Sequence, residues 1–264
     1  MALNKEIWVN DIQGLLLPDN NFVKKGTDYS AFADAKTIHI PVALQNVNVE
    51  MDRQVLPAPI NRVADTEQTI DMHHFTSDPI ALFNPEDVEL SYDKRRVIVQ
   101  QIADAINEAV AQHALKYFVN SKVLLGKSVL SALRTAAYNF DKGNYPENDR
   151  YVLLDAEGYA KLLKELTEIQ TNAFLASANA QTGVIGQLFG LNILKRSSIG
   201  EEIHAVAWHK RDYAFALGPV QVYAEENKAA YYGSVLSASV RFGTYYAPET
   251  AWDSANEIPV TLED

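Results

Sequence analysis

Apolar and polar residues alternate strictly along three segments between residues 37 and 75. Period-two alternation is typical of β-strands with one covered face. Pro57 and Pro59 lie between the second and third segments and exclude a central strand there. The pattern predicts a long two-stranded projection with a loose tip. Because an isolated hairpin is only marginally stable in water, we expect this one to lie against another subunit. The positions that share one side are Ile38, Ile40 and Val42, then Val47, Val49 and Met51, then Ile70, Met72 and His74.

Residues 93–119 carry a pattern of helical period. Apolar residues follow one another at spacings of four, which predicts an amphipathic helix that Asp93 can cap: Ile98, Ile102, Ile106 and Val110. Roughly 25 residues in a helix span about 37 Å. The first turn is basic, although the helix dipole disfavours cations at that end. The basic residues form either a solvated patch or contacts with carboxylates of another subunit, and they are Lys94, Arg95 and Arg96.

The second half of the chain mixes helices and strands. A helix is predicted over 127–140 and a short buried strand over 151–154, after which Asp155 caps a third helix. The apolar face of that third helix comprises Tyr159, Leu162, Leu163, Leu166 and Ile169. Residues 171–183 favour a long mobile loop, with an Ala-rich helix as the alternative. Further strands are predicted at 191–195, 205–209, 213–217, 220–224 and 235–242. The absence of a regular βαβ rhythm argues against a doubly wound parallel sheet.

The first 35 residues form a mixed segment with a turn signal at 18–21. We interpret it either as a partly ordered terminus or as an arm that packs on a neighbour. Its candidate anchors are Ile7, Trp8 and Leu15 to Leu17.

The composition of the chain excludes several classes of function. The 264 residues are 47% hydrophobic and 22% charged, which is ordinary for a globular protein with a real core. No apolar run approaches the ~20 residues of a membrane span, and the first residues do not have the layout of a secretory signal. Without cysteine, disulfides and thiolate chemistry are excluded. The formal charge of −11 argues against tight or sequence-specific DNA binding, although an acidic wall could enclose DNA that does not adhere to it.

The motifs that carry chemistry are missing. The glycines of GVIGQLFG do not have dinucleotide-binding spacing, and no phosphate-binding loop, zinc-protease or serine-hydrolase motif occurs. His73 and His74 are adjacent on a predicted strand, so their side chains point to opposite faces. The acidic pairs are interpreted as solvated surface, and the aromatic residues as core plus protein interface. We predict no enzyme, no catalytic residue, no cofactor and no metal.

Four segments, taken in order, resemble the major capsid proteins of tailed double-stranded DNA phages, whose type example is the Hong Kong 97 phage. The first is ELSYDKRRVIVQQIADAINEAVAQHAL at 89–115, which follows the β projection. The second is NYP at 144–146 with DRYVLLD at 149–155 and Tyr159. The third is GVIG at 183–186 with GLNI at 190–193, and the fourth is YG at 232–233 with RFG at 241–243.

The resemblance implies an α+β, Hong Kong 97-type capsid fold. It divides the chain into an N-terminal arm (1–35), an extended β-hairpin loop (36–78), a peripheral domain (79–130) with a spine helix at 93–119, an axial domain (131–240) and a C-terminal segment (241–264) that returns to the peripheral domain. The chain begins with a short arm, so we expect a separate scaffold protein or none.

The function that the resemblance implies is self-assembly. Pentamers and hexamers would form an icosahedral phage head around double-stranded DNA, made in the host cytoplasm, with scaffold, portal and decoration proteins as further partners and no membrane. The candidate contacts between subunits are the charged residues of the projection and of the helix start: Arg53, Arg62, Glu67, Lys94, Arg95 and Arg96. The alternatives are an encapsulin-like compartment, a tail or connector protein, and an α/β enzyme with an unrecognised site.

Overall fold

The computed structural model describes residues 2–34, 36–44, 51–52, 64–83, 94–118, 128–199, 204–228 and 233–246. The helices are α1 (Ala2–Leu15), α2 (Lys94–Tyr117), α3 (Val129–Lys142), α4 (Ala156–Glu165) and α5 (Glu168–Ala176). The strands are β1 (Thr27–Asp28), β2 (Thr37–Leu44), β3 (Ala64–Asp71), β4 (His73–Thr76), β5 (Ile80–Phe83), β6 (Arg150–Leu154), β7 (Gly186–Leu188), β8 (Leu191–Lys195), β9 (Ala205–His209), β10 (Tyr213–Leu217), β11 (Gln221–Lys228) and β12 (Gly233–Tyr246).

The largest sheet is built around the long strand β12. Strands β10 and β11 pair with it, β4 and β5 pair with it as well, and β1 adds to β10 in parallel. Along β12 the alternate residues Leu236, Ala238, Val240 and Phe242 are buried, as their period of two predicts. They share one core with the apolar stripe of α2, which includes Ile102. The first core therefore lies between this sheet and α2.

A second sheet, in the order β7-β8-β6-β9, separates two cores. Strand β6 runs parallel to β8 and antiparallel to β9. Leu153 and Leu194 face the first core. Their neighbours in the chain, Leu154 and Ile193, face a second core. Because both faces are covered, the strands are apolar almost throughout, which explains why β6 reads as a buried strand in the sequence. Helices α3, α4 and α5 contribute to the second core.

The predicted third helix is divided into two. Helix α4 ends at its C-cap Leu166, and Thr167 begins α5, donating its backbone N–H to the side chain of Gln170. Ile169 was therefore wrongly placed on the apolar face of the third helix, since it is 82% exposed on α5. The first part of the predicted mobile loop, residues 171–176, belongs to α5. The alternative that the sequence left open, an Ala-rich helix, therefore applies to these residues. Phe174 anchors α5 against Gly186, where an added Cβ would lie 2.2 Å from the ring.

The N-terminal segment packs on its own chain through a helix that the sequence pattern did not indicate. The Asn107 side chain accepts a hydrogen bond from the N–H of Leu17 at 2.9 Å and donates one to the carbonyl of Leu15 at 3.0 Å. Leu16 and Leu17 are buried, as expected of anchors. The indole of Trp208 donates to the carbonyl of Lys25. These contacts tie the segment to α2 and to the second sheet.

The predicted axial domain, 131–240, contains strands of both sheets. Residues 129–207 supply the second core, while β10, β11 and β12 belong to the large sheet beside α2. The division of the chain into domains stays a prediction.

Candidate assembly surface

Strands β2 and β3 form a ladder that stands apart from the other sheets. The antiparallel register is continuous from the pair Thr37 and Asp71 to the pair Leu44 and Ala64. Eight residues per strand span about 27 Å at about 3.4 Å each. In the part of the chain that the structure describes, the two strands pair only with each other. The ladder thus presents two outer edges, each with backbone groups that a further strand could pair with.

The base of this hairpin belongs to the subunit's own core. Ile38 and Ile70 are buried beside Met72, Ala214 and Ala216. At Gly243 the large sheet approaches so closely that an added Cβ would lie 2.7 Å from the carbonyl oxygen of Asp71. The glycine therefore permits a contact that fixes where the hairpin leaves the body. The alternating segment from residue 69 to 74, predicted as extended structure with one covered face, is divided at this point, because β3 ends before Met72 and β4 joins the large sheet after it.

A proline determines which backbone groups face outward. Pro41 lies opposite Glu67 in the ladder. Proline has no N–H, so it fits a regular antiparallel ladder only at a pair that is not hydrogen-bonded across the two strands. The opposing residue of such a pair also points its N–H and carbonyl outward. The outer edge of β2 therefore lacks a donor at Pro41, while the outer edge of β3 presents the N–H of Glu67.

The charged residues predicted to contact other subunits lie on separate elements. Glu67 is on β3, with its side chain outside the described part of the structure. Lys94 and Arg95 begin the backbone of α2, and Arg96 is exposed in the same turn. Arg53 and Arg62 lie outside the described residues. Their role as contacts stays a prediction. The sequence-based selection missed Pro41 and Gly243, although a proline within an alternating strand is itself a signal of an edge.

Two charged side chains, Glu165 and Arg150, have hydrogen-bond partners on other elements of the fold. The carboxylate of Glu165 accepts hydrogen bonds from the N–H groups of Val129 and Leu130 and the hydroxyl of Ser128, each at 2.8 Å. Burial raises the pKa of Glu165, but these hydrogen bonds outweigh it and hold the pKa below its usual value. Arg150 is buried and donates to Asp141 at 2.7 Å. These groups cap or join elements.

One crevice of about 250 Å³ lies between the N-terminal segment, α2 and the second sheet. Its cationic lining residues are Lys195, whose ammonium lies 4.7 Å from the centre of the Tyr159 ring, and Arg196, which is paired with Glu108 at 2.6 Å. The described residues contain no group of three side chains placed to hold a metal ion. Among them, too, no helix has the length and apolar character that crossing a bilayer requires. The predicted opposite orientation of His73 and His74 agrees with the contacts, since the ring of His73 packs on His113 of α2.

No protein-family model and no curated protein sequence matches this chain. Solved structures, however, match its fold. The capsid of Ralstonia phage GP4 matches with a TM-score of 0.64 and 8% identity over 87% of this chain and 84% of its own. The capsid structure of the cyanophage P-SCSP1u matches with a TM-score of 0.57 and 16% identity over 84% and 83%. The capsid of a native GTA particle matches with a TM-score of 0.63 and 13% identity over 88% of both chains.

The chain has the phage capsid fold. The α+β, Hong Kong 97-type class predicted from the sequence is thereby confirmed. Strands β2 and β3 lie within 36–78, the range predicted for the extended loop, and α2 covers most of the helix predicted over 93–119. Their assignment as the extended loop and the spine helix stays a prediction.

Proposed function

We propose that this protein is the major capsid protein of a tailed-phage type of head. Copies of the chain assemble into pentamers and hexamers, and these close into an icosahedral shell around double-stranded DNA. The role is structural rather than catalytic. The capsid structures that share its fold support this proposal, since they match most of the chain.

The observation that carries the proposal is the hairpin β2–β3. Its base is fixed in the subunit's own core, and its ladder continues for eight residues per strand with no further strand beside it in the described part of the chain. A two-stranded ladder is marginal in water by itself. A neighbouring copy supplies the missing contact, and the outward N–H of Glu67 on β3 provides one place where it can bind.

Subunit contacts in such a shell are heterologous. The hairpin of one copy meets a different surface of the next, so that the contacts close into a ring when the rotation allows it. Each copy gives one such contact and receives another, and many weak contacts together produce a durable particle. The chain contains no cysteine, so disulfides play no part in holding the shell.

The interior is proposed to enclose DNA without binding it tightly. The formal charge of −11 disfavours contact with phosphates, and the packaged DNA then remains free to move along the wall. Scaffold, portal and decoration proteins are proposed as further partners, and the phage head as the location. The encapsulin-like alternative is not favoured, because the matched structures reported above are those of two phages and a GTA particle.

Expression of the full-length protein, followed by sedimentation and negative-stain electron microscopy, tests this function. We expect closed shells, or free pentamers and hexamers, at micromolar concentration. A protein that stays monomeric at every concentration would refute the proposal. Rings or tubes with one symmetry axis would favour the tail or connector alternative, and shells that hold a protein cargo would favour the encapsulin-like one.

A further inference from the structure

A single residue separates strand β3 of the hairpin from strand β4 of the large sheet. Strand β3 pairs with β2 and ends at Asp71, while β4 begins at His73 and pairs with β12. Met72 between them is buried and donates its N–H to the carbonyl of Lys36 at 3.0 Å. Strand β4 therefore contributes to the position of the hairpin base, together with the packing of Ile38 and Ile70 beside Ala214 and Ala216.

Two histidines meet where β4 packs on α2. The ring centroids of His73 on β4 and His113 on α2 lie 4.8 Å apart. Aromatic rings surround His113, with Tyr117 at 5.4 Å, Phe75 at 5.5 Å and Phe242 at 6.4 Å. Within the described residues, Nε2 of His113 is buried and has no hydrogen-bond partner.

The surroundings of His113 oppose a positive charge. The titratable groups that face it are His73 from β4 and, on its own helix, Lys116 and Tyr117, whereas Phe75 and Phe242 carry no charge. Burial lowers the pKa of His113, and positive charge on His73 or Lys116 lowers it further. At a given pH, His113 therefore binds fewer protons when β4 is packed on α2 than when the two elements are apart. The packed state loses stability as the pH falls below the ordinary histidine value of 6.5 and through the lower pKa of the packed state.

We propose that His73 and His113 form a proton-sensitive latch between α2 and β4, the strand that follows the hairpin base. With the ring of His113 neutral, β4 stays packed on the helix. When a proton from solvent adds to a ring nitrogen of His113, an imidazolium forms, no covalent bond breaks, and the packing of His73 and Phe75 of β4 on α2 loosens. Only the consequence rests on the proposed function: in a shell, acid would loosen the contact that each hairpin makes with its neighbour.

Hydrogen–deuterium exchange of the full-length protein at about pH 7.5 and about pH 5.5, corrected for the intrinsic exchange rates, tests the latch. In the wild type we expect the protection of residues 72–77 to fall by about tenfold in acid, while β6 and β8 change much less. His113→Phe keeps an aromatic ring and removes the titration, so its β4 should stay protected at both pH values. His74→Gln is the matched control, because His74 is the next residue along β4 and lies on the opposite face, and its β4 should respond to acid as the wild type does.

Equal acid sensitivity of His113→Phe and the wild type would overturn the inference, as would unchanged protection of β4 in the wild type. If His113→Phe does not fold, the NMR titration of the wild-type imidazoles decides. A His113 that titrates below the ordinary histidine value, with β4 amide shifts of the same midpoint, supports the latch, and a His113 that titrates at or above that value refutes it. Exchange is measured whether or not the protein assembles, so a protein that has the latch and forms no shells would refute only the proposed function.

Discussion

Two glycines let parts of this chain approach more closely than another residue would allow. At Gly243 the large sheet contacts the hairpin base, and at Gly186 the strand β7 lies against the ring of Phe174. In each case the missing side chain is the reason that one element can lie on the next.

Replacing Gly186 with alanine is expected to destabilise the protein by about 1–3 kcal/mol, because the new methyl group overlaps the buried ring of Phe174. The same substitution at Gly14 in α1 meets nothing within 4 Å, and it should stabilise by up to about 1 kcal/mol through helix propensity. Urea unfolding of the two variants measures both effects. Similar free energies of unfolding for the two would contradict the assigned contact.

Glu165 caps α3 from a different helix, so its charge should matter to folding. Glu165→Gln keeps the shape but weakens the hydrogen bonds to Ser128, Val129 and Leu130, and about 1–2 kcal/mol of stability should be lost near neutral pH. Because the folded pKa lies below the ordinary value of 4.5, the contribution is complete above that value and is lost as the pH falls through the folded pKa.

Chemical unfolding at a series of pH values measures this difference. The gap between wild type and Glu165→Gln should narrow in acid. Glu147→Gln, at an exposed glutamate, serves as the control and should change stability little at any pH. A gap that is independent of pH would show that the charge of Glu165 does not supply the cap.

Among the secondary-structure elements, the sequence predicts those whose hydrophobic periodicity matches the face that is buried in the fold. Ile38 and Ile70 alternate with polar neighbours and are buried at the hairpin base, and the apolar stripe of α2 faces the first core. Helix α1 escapes prediction because its apolar pattern is broken, and part of its support comes from a side chain far along the chain, Asn107. Ile169 is wrongly placed because a capped break at Thr167 interrupts a run that reads as one helix. The contact of Asn107 with the N-terminal segment leaves no local signal, whereas the capping box Thr167-x-x-Gln170 is a local signal that the prediction of a single helix overlooked.

The sequence likewise predicts only part of the candidate assembly surface. Alternation predicts the projection, but the sequence does not show that Gly243 lies under Asp71 or that His113 meets His73, since these residues are brought together only by the fold. The charged residues chosen from the sequence lie on β3 and α2, or outside the described residues. Their role depends on another copy of the chain, about which a single sequence carries little information.

The edge of β3 offers a prediction with a close control. Glu67→Pro removes an N–H that points away from β2, so the hairpin should keep its ladder while assembly is impaired. Gln68→Pro, one residue further on, removes an N–H that bonds to β2 and should disrupt the ladder itself. Hydrogen exchange of β2 reports the ladder, and sedimentation reports assembly. If Glu67→Pro assembles like the wild type, the outer edge of β3 is not a contact.

At the scale of the whole molecule, the hairpin divides into a base that folds the subunit and an outer part that joins subunits. Replacing residues 45–63 with Asn-Gly should leave a folded protein, because Leu44 and Ala64 face each other and a two-residue turn can join them. The base residue Ile70 remains in its core. We expect the unfolding temperature to change by no more than a few degrees, while shells fail to close.

Ile70→Ala changes the base of the hairpin and leaves its outer part intact. Ile70 is fully buried, so its truncation should cost about 2–5 kcal/mol of subunit stability. Thermal unfolding and electron microscopy of both variants distinguish the two roles. If the replacement of 45–63 unfolds the subunit, the outer part of the hairpin belongs to the subunit's own core.

A cryo-electron microscopy reconstruction of the particles that the full-length protein forms would show whether the hairpin joins subunits. We expect a closed icosahedral shell in which the hairpin β2–β3 of each copy lies across the adjacent copy. A hairpin that folds back on its own subunit, or a protein that forms no closed particle, would contradict this expectation.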